Sequence, residues 1–296
     1  MIKFVNAKIN IGLNVVAKRE DGYHDIETVF FPVGIESGMP QQPEPFDDIL
    51  ELNLERGKQS GCRFQLMGRR LNCDPQKNLV VKAATIFLHS YYEKYGAEGE
   101  QGLFNIILDK HLPDGAGLGG GSADATFTLV SLNELLGEPF SHTELARMAR
   151  KLGADCAFFL LNTPAFAEGI GEELNPVEID LSGNWLLIVK PPVSVSTKEA
   201  FGGIVPKKPD FDLRFLHYLP LDQWRGKVVN DFEHTIFPLH PELGELKDSI
   251  YSHGAVYASM SGSGSSIYGI FSDGELARKA SEEFRSTYEE VWLFKL

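Results

Sequence analysis

The segment that most limits how this chain can fold is a glycine-rich stretch, Leu112–Ala125, with the sequence LPDGAGLGGGSADA. Its five glycines let the backbone adopt conformations closed to other residues and let a ligand approach bare amides. An apolar helical pattern begins at Ser122, and a helix N-terminus carries unpaired N–H groups and a partial positive charge. The stretch therefore predicts a phosphate-binding turn rather than a flexible linker.

The charge balance narrows the class of ligand. The 296 residues include 28 Lys and Arg against 41 Asp and Glu, which gives a formal net charge of −13. Such a chain repels nucleic acid and anionic membranes at long range. Local amides and a few lysines can still hold a small anion. We expect a small-molecule ligand, with no nucleic-acid or membrane partner.

Cysteine usage and the first residues predict a cytoplasmic protein. Cys62, Cys73 and Cys156 are isolated, without a C-x-x-C pair, which fits a reducing compartment and argues against a cysteine zinc site. The opening MIKFVNAKIN lacks the apolar core of a secretory signal. No apolar run approaches the ~18 residues of a membrane span.

The order of predicted elements indicates an α+β fold with two domains, residues 1–162 and 163–296. The first part begins with strands and continues with a helix over Leu79–Tyr95, and Ser141 with Glu144 forms a capping box for a later helix. Strands and helices resume beyond Asn162. The proline-rich residues 36–46 read as a surface loop.

The glycine stretch differs from the common nucleotide motifs. Gly115, Gly117 and Gly120 satisfy G-x-G-x-x-G, but a second helix follows where a dinucleotide fold needs a strand that ends in an acidic residue. There is no Gly-Lys-Ser/Thr ending and no protein-kinase His-Arg-Asp element. These absences argue against a dehydrogenase, a Walker-type ATPase and a protein kinase.

The string P-x-G-x-G-L-G-G-G-S-A opening a helix resembles the ATP loop of the GHMP kinases, a family of small-molecule kinases. AKINIGLNVVAKREDGYHDIETVF resembles the first motif of one branch, which acts on a cytidyl-linked polyol. LGADCAFFLLNTPAFAEGIGEEL resembles the middle segment of that branch, and SMSGSGSSIYGIF resembles the C-terminal glycine motif. The order and approximate spacing of these segments match along the whole chain.

The resemblance implies a fold and a reaction. The fold would be a ribosomal protein S5 domain 2-like N-terminal domain and a ferredoxin-like C-terminal domain. The reaction would use ATP and Mg²⁺ to phosphorylate the 2-hydroxyl of 4-diphosphocytidyl-2-C-methyl-D-erythritol in non-mevalonate isoprenoid biosynthesis. The alternatives are a GHMP kinase for homoserine or a mevalonate derivative, and a non-catalytic nucleotide-binding relative. We expect a monomer or weak homodimer.

Two residues would carry the catalysis. Ile9 and Ile11 alternate to the opposite face of the first strand, so Lys8 and Asn10 should lie side by side. The resemblance implies that Lys8 and Asp155 are catalytic, Asp155 being either a general base or an orienting group. Where relatives commonly read Val-Pro after the aspartate, this chain has Cys156-Ala157, and we expect repacking there rather than lost activity.

The remaining site residues also follow from the resemblance. Tyr23 would stack on the cytosine, His24 would bond its polar edge, Asn10 would bond the polyol, and Thr197 and Phe201 would complete the substrate site. Ser122 can also face the metal, whose other protein ligands stay unassigned. The nucleotide would be bound by Asn78, Lys110, Gly115, Gly117, Leu118, Gly119, Gly120, Gly121, Ser122, Gly262, Ser263 and Gly264. A turn asparagine and a solvated lysine remain alternative interpretations of Asn78 and Lys110.

Overall fold

The computed structural model describes residues 1–34, 46–57, 61–70, 74, 77–96 and 99–296. The strands are β1 (Ile2–Val5), β2 (Ala7–Lys18), β3 (His24–Val33), β4 (Asp48–Arg56), β5 (Gly61–Gly68), β6 (Gly102–Lys110), β7 (Ala165–Glu168), β8 (Glu173–Pro176), β9 (Trp185–Lys190), β10 (Tyr257–Met260), β11 (Ile267–Phe271) and β12 (Glu290–Lys295). The helices are α1 (Leu79–Tyr95), α2 (Gly120–Leu135), α3 (His142–Leu152), α4 (Cys156–Leu161), α5 (Thr197–Gly202), α6 (Phe232–Leu239), α7 (Pro241–Ser252) and α8 (Gly274–Arg285).

The chain divides into two compact units, and neither is continuous in sequence. The first unit contains Met1–Ala7, Pro45–Asp114 and Gly119–Asn162. The second unit contains Lys8–Glu44, Gly115–Leu118 and Thr163–Leu296. The glycine stretch therefore contributes to both units.

The first unit is a four-stranded sheet, ordered β1-β4-β6-β5, with helices packed on it. Its strand pairs are antiparallel except β5 and β6, which are parallel because α1 connects them. Phe104, Ile106 and Leu108 alternate along β6 and are fully or almost fully buried, so one face of the sheet forms the core of this unit.

Two helix boundaries in the first unit agree with the sequence prediction. Helix α1 covers the predicted residues, and the side chain of Asn78 accepts a hydrogen bond from the Val80 amide at its start. At the start of α3, Ser141 and Glu144 form the predicted capping box. Asn78 thus has a structural role as a helix cap.

The second unit holds two further four-stranded sheets, ordered β2-β3-β7-β8 and β10-β11-β9-β12. Strand β2 is buried from Ala7 to Val15, polar residues included. Leu13 and Val15 from this strand join the core around the second sheet, together with Leu187, Phe232 and Leu293.

Some sequence expectations fall outside the described residues. The predicted surface loop at 36–46 lies outside them apart from Phe46, and so does Cys73. Cys62 and Cys156 carry free thiols. Across the part of the chain that the structure describes, no helix has the length and apolarity needed to cross a membrane.

Candidate active site

The glycine stretch ends in a helix that begins after a glycine. Gly119 precedes α2 in the left-handed region, with φ +73°, and as a glycine it supplies no side chain to cap the first amides of this helix. Gly115 and Gly117 also have positive φ, +61° and +77°. Because the opening amides of a helix have no intrahelical acceptor, those of Gly120, Gly121 and Ser122 fit a phosphate group.

Within the second unit, Gly117 lies directly against the C-terminal glycine motif. A Cβ atom built on Gly117 would lie 1.9 Å from the Ser261 carbonyl oxygen, so only glycine fits there. The Ser261 hydroxyl donates to the Gly117 carbonyl at 2.7 Å, and the Ser266 amide donates to the Ala116 carbonyl at 3.2 Å. The two glycine segments are therefore held together by one side-chain and one backbone hydrogen bond.

The predicted residues Gly262, Ser263 and Gly264 follow Ser261 in a tight turn. The Gly264 amide donates to the Ser261 carbonyl at 3.0 Å, and Gly262 has a φ of +56°. A Cβ atom on Gly262 would lie 3.2 Å from Asn10 Oδ1, which brings this turn beside β2.

Lys8 and Asn10 lie side by side on β2, as the alternation predicts. Lys8 Nζ donates to Asn10 Oδ1 at 2.6 Å and to the Gly117 carbonyl at 3.2 Å. The Lys8 amide also donates to the Leu118 carbonyl at 2.9 Å. Lys8 is only 3% exposed and its ammonium lies 5.1 Å from the centre of the Phe30 ring. A buried ammonium thus lies against the glycine stretch.

Asn10 is held from its other end as well. Its Nδ2 donates to Thr28 Oγ1 at 3.0 Å, and that hydroxyl donates to the Gly12 carbonyl at 2.5 Å. Tyr268 donates its hydroxyl to the Asn10 carbonyl at 2.8 Å. These bonds fix the orientation of the Asn10 amide, and with it the position of the Lys8 ammonium.

Asp155 precedes α4 in the first unit and lies near the start of α2. A Cβ atom built on Gly153 would lie 3.6 Å from Cys156 Sγ and 4.0 Å from Ser122 Oγ. Burial raises the pKa of the Cys156 thiol to about 11, although hydrogen bonding to Ser122 opposes the shift. The thiol is therefore protonated and unreactive near neutral pH, while Asp155 is half-buried.

Cys156 and Ala157, which replace the common Val-Pro, are buried in α4. The Cys156 amide donates to the Gly153 carbonyl and the Phe158 amide to the Asp155 carbonyl, both at 3.2 Å. The turn that carries Asp155 is thus closed by backbone hydrogen bonds.

Lys110 is fully buried beneath the start of α2. Its ammonium pairs with Asp48 and, at 2.7 Å, with Asp124. Burial alone would lower the pKa of Lys110, but the carboxylates of Asp124 and Asp48 outweigh it and raise that pKa. A Cβ atom built on Gly120 would lie 3.0 Å from Lys110 Nζ, so this ammonium packs against the first residue of α2.

Two of the aromatic residues predicted for the base, His24 and Phe201, are in contact in the second unit. The rings of His24 and Phe201 stack with their centres 4.8 Å apart and an angle of 18° between their planes. Phe201 packs edge-on against Phe232 at 4.7 Å. Tyr23, next to His24, is 62% exposed, and Thr197 is exposed at the start of α5. An exposed ring next to a stacked pair can accept a planar base.

Several residues of this arrangement were not predicted from the sequence. Ser261 and Thr28 orient Gly117 and Asn10, while Asp48 and Asp124 hold Lys110. Asp124 was detectable, because a charged residue in an otherwise apolar helix start requires a partner. Nothing in the sequence pairs Asp48 with Lys110, which lies 62 positions away.

Family models match both halves of the chain. The model of the GHMP kinases N terminal domain matches residues 78–163, and the model of the GHMP kinases C terminal domain matches residues 218–290. The first range contains the glycine stretch and Asp155. The second contains the Ser261–Gly264 turn.

Curated relatives match over nearly the full length. Proteins called 4-diphosphocytidyl-2-C-methyl-D-erythritol kinase are 44% identical in Bacteroides fragilis, over 96% of both chains, and 45% identical in Bacteroides thetaiotaomicron, over 92% of both. A relative of the same name from Cytophaga hutchinsonii is 39% identical over 92% of both chains.

Solved structures agree with this assignment. A crystal structure of 4-(cytidine 5'-diphospho)-2C-methyl-D-erythritol kinase is 31% identical and superposes with a TM-score of 0.79, over 99% of this chain and 98% of that one. Homoserine kinase from Cytophaga hutchinsonii shares the fold at 22% identity, with a TM-score of 0.65 over 99% and 95%. The predicted two-domain α+β fold is confirmed, and the chain belongs to the GHMP kinases, a family of ATP-using small-molecule kinases.

Proposed function

We propose that this chain phosphorylates the 2-hydroxyl of 4-diphosphocytidyl-2-C-methyl-D-erythritol with ATP, in non-mevalonate isoprenoid biosynthesis. The observation that carries the choice of substrate is the ring set of Tyr23, His24 and Phe201. A kinase for homoserine or mevalonate has no base to bind, and these rings would then be structural. The full-length relatives at 44% and 45% identity support the same substrate.

In this proposal, each site residue has a separate role in phosphoryl transfer. Asp155 accepts or orients the proton of the attacking hydroxyl, whose oxygen forms the new bond to the γ-phosphorus as ADP leaves. The ammonium of Lys8 offsets the charge that develops on the transferred group. The amides of Gly120, Gly121 and Ser122 hold the phosphates, and the Gly262–Gly264 turn completes the nucleotide site. Asn10 binds the polyol, and Thr197 lies at the substrate.

We assign Lys110 and Asn78 to the nucleotide site through the backbone that they hold. Lys110 is enclosed by two carboxylates and Asn78 caps α1, so both side chains act on the protein itself. The turn that leads into α2 takes its shape from Gly115, Leu118 and Gly119.

Mg²⁺ completes the proposal, because it would neutralise negative charge on the phosphate groups. Among the described residues, no three His, Cys, Asp or Glu side chains cluster as a metal site. Phosphate oxygens and water would therefore supply most ligands, as is usual for this ion. The hydroxyl of Ser122, at the start of α2, is the candidate protein ligand.

We further propose that the enzyme acts in the cytoplasm as a monomer or weak homodimer on a small molecule. The free thiols of Cys62 and Cys156 suit a reducing compartment. The net charge of −13 disfavours nucleic acid or an anionic membrane as a partner.

ADP release with three alcohols tests the proposed function. With Mg²⁺ and ATP, we expect turnover of the cytidyl substrate and none of homoserine or mevalonate. Asp155→Asn should lower kcat by about 10²-fold or more, because the hydroxyl loses its proton acceptor. Tyr23→Ala should raise the KM of the cytidyl substrate about tenfold, because base stacking is worth about 1–3 kcal/mol.

Tyr218→Ala is the matched control for Tyr23, because Tyr218 is also exposed, at 76%, and lies outside the proposed site. Its kinetics should equal those of the wild type. Turnover of homoserine or mevalonate instead of the cytidyl compound would refute the proposed substrate. An unchanged KM in Tyr23→Ala would place the base elsewhere.

A further inference from the structure

A short segment before α6 directs three polar side chains to backbone groups of other elements. Asn230 and Asp231 are 1% and 5% exposed, and Glu233 follows in the first turn of the helix. The Leu13 amide donates to the Val229 carbonyl and the Asp231 amide to the Leu13 carbonyl, both at 2.8 Å. The segment is therefore fixed on β2.

Asn230 uses its amide group fully. Its Nδ2 donates to the Met260 carbonyl and to the Gly262 carbonyl, both at 2.8 Å, and its Oδ1 accepts from the Phe232 amide at 3.0 Å. An asparagine amide has two N–H donors, and both are spent on carbonyls that flank one residue, Ser261. The Asn230 side chain thus bonds to both of the residues that adjoin Ser261.

The neighbours of Asn230 hold the adjoining backbone. Glu233 Oε1 accepts from the Met260 amide at 2.9 Å and from Ser259 Oγ at 3.1 Å. Asp231 Oδ2 accepts from the Val15 amide at 2.8 Å. The segment thus connects strand β2 to the end of β10, where the glycine turn begins.

Ser261 links the backbone that Asn230 holds to the glycine stretch. Its hydroxyl donates to the Gly117 carbonyl at 2.7 Å and accepts from the backbone amide of Asn10 at 3.2 Å. A turn made of glycine and serine has little side-chain packing of its own to define it. Its geometry therefore depends on the hydrogen bonds to the carbonyls on either side of Ser261.

We propose that Asn230 is a positioning residue for the nucleotide. It holds the carbonyls of Met260 and Gly262, which sets the Gly262–Gly264 turn and, through Ser261, the Gly117 end of the phosphate-binding turn. This assignment rests on the proposed use of ATP, but it concerns the donor site and not the identity of the alcohol.

Asn230→Asp tests the assignment, because aspartate keeps the size and the acceptor of asparagine but lacks its two donors. Two buried carbonyls then face a carboxylate instead of an amide. We expect the KM of ATP to rise about tenfold, the equivalent of about 1.4 kcal/mol, while the KM of the alcohol changes less than about twofold. Binding of a fluorescent ADP analogue without alcohol should weaken by the same factor.

Asn133→Asp is the matched control. Asn133 lies in α2 and is 7% exposed. Its side chain donates to the carbonyl and accepts from the amide of Phe140, in the loop before α3, each at 3.0 Å. Its substitution should lower the thermal midpoint as Asn230→Asp does, yet leave the KM of ATP unchanged. If the two variants have equal KM values for ATP, Asn230 has only a structural role, and the assignment is wrong.

A second variant covers the case in which Asn230→Asp fails to fold. Ser261→Ala removes only the hydroxyl that links the turn to Gly117, and it should also raise the KM of ATP and weaken the ADP analogue. Wild-type affinity in Ser261→Ala would refute the route through Ser261. Absence of turnover by the wild type with all three alcohols would instead count against the proposed function, since analogue binding still tests the role of Asn230.

Discussion

At the scale of single residues, glycines in the phosphate-binding turn are required for two different reasons. Gly117 has positive φ and no room for a Cβ atom beside Ser261, so the protein itself demands glycine. At Gly121 a Cβ atom would meet only Leu79 Cδ1, at 3.8 Å, which is an ordinary contact. For Gly121 we infer the second reason, the close approach of a ligand.

Gly121→Ala separates these two reasons. Alanine should raise the free energy of unfolding by up to about 1 kcal/mol, because it favours the helix more than glycine does. The added methyl group should raise the KM of ATP about tenfold by crowding the phosphates. Urea unfolding and steady-state kinetics measure the two effects.

Gly57→Ala is the control for Gly121→Ala, because a Cβ atom there would meet nothing within 4 Å. Its ATP kinetics should be those of the wild type. A Gly121→Ala enzyme with an unchanged KM of ATP would mean that no phosphate group approaches this residue.

Sequence reasoning reached single residues where a local rule applied. Alternation along one strand predicted that Lys8 and Asn10 lie together, and the 2.6 Å hydrogen bond confirms it. It could not predict Thr28 or Ser261, whose bonds to Asn10 join positions 18 and 251 residues apart. Contacts of that kind depend on which strands become neighbours, which no local pattern specifies.

At the scale of elements, a buried cluster of three charges joins β4, β6 and α2. Asp48 begins β4, Lys110 ends β6, and Asp124 lies in the first turns of α2. Asp48 also accepts hydrogen bonds from the amides of His111 and Leu112, at 2.5 and 2.8 Å, whereas the buried Asp124 Oδ1 has no hydrogen-bond partner among the described residues. The two carboxylates are therefore unequal in their structural importance.

This inequality predicts different costs for the two neutral variants. Asp48→Asn should lower the free energy of unfolding by about 3 kcal/mol, because it weakens the pair with Lys110 and sets an amide against two backbone donors. Asp124→Asn should change it by less than about 1 kcal/mol, because one of its oxygens already has no partner. Urea unfolding of both variants checks the order, and equal losses would contradict it.

Elements were predicted well where a pattern and an end signal coincided. Helix α1 and the capping box of α3 match the prediction. Strand β5 was missed because most of its residues are exposed, so its sequence GCRFQLMG lacks a buried alternating face. Helix α4 has only six residues, too few for a helical period to be visible.

At the scale of the whole molecule, the order of the chain and the grouping of its contacts differ. We retain 162/163 as the proposed boundary of the two family domains in sequence, which the family match ending at residue 163 supports. The compact units place Lys8–Glu44 with Thr163–Leu296, so the chain passes between the units five times. Strands β2 and β3 belong to the same sheet as β7 and β8.

This grouping predicts that residues 163–296 do not fold alone. The fragment lacks β2 and β3, which leaves the edge of β7 unpaired and removes Leu13 and Val15 from the core. Joining residues 8–34 to it through a glycine-serine linker should restore cooperative unfolding, followed by circular dichroism. A cooperative transition in the fragment 163–296 alone would show that the two strands are dispensable.

The pairing of β3 with β7 also determines how long β3 lacks this partner strand while the chain is being synthesised. Val33, which ends β3, precedes Ala165, which begins β7, by 132 positions. A ribosome adding about 5–20 residues per second needs on the order of ten seconds to cover that distance. Throughout this interval, one edge of β3 has no strand to pair with, which exposes a template for aggregation. Among the described strands, β3 therefore waits longest for its partner, and slow translation or scarce chaperones should affect β3 first.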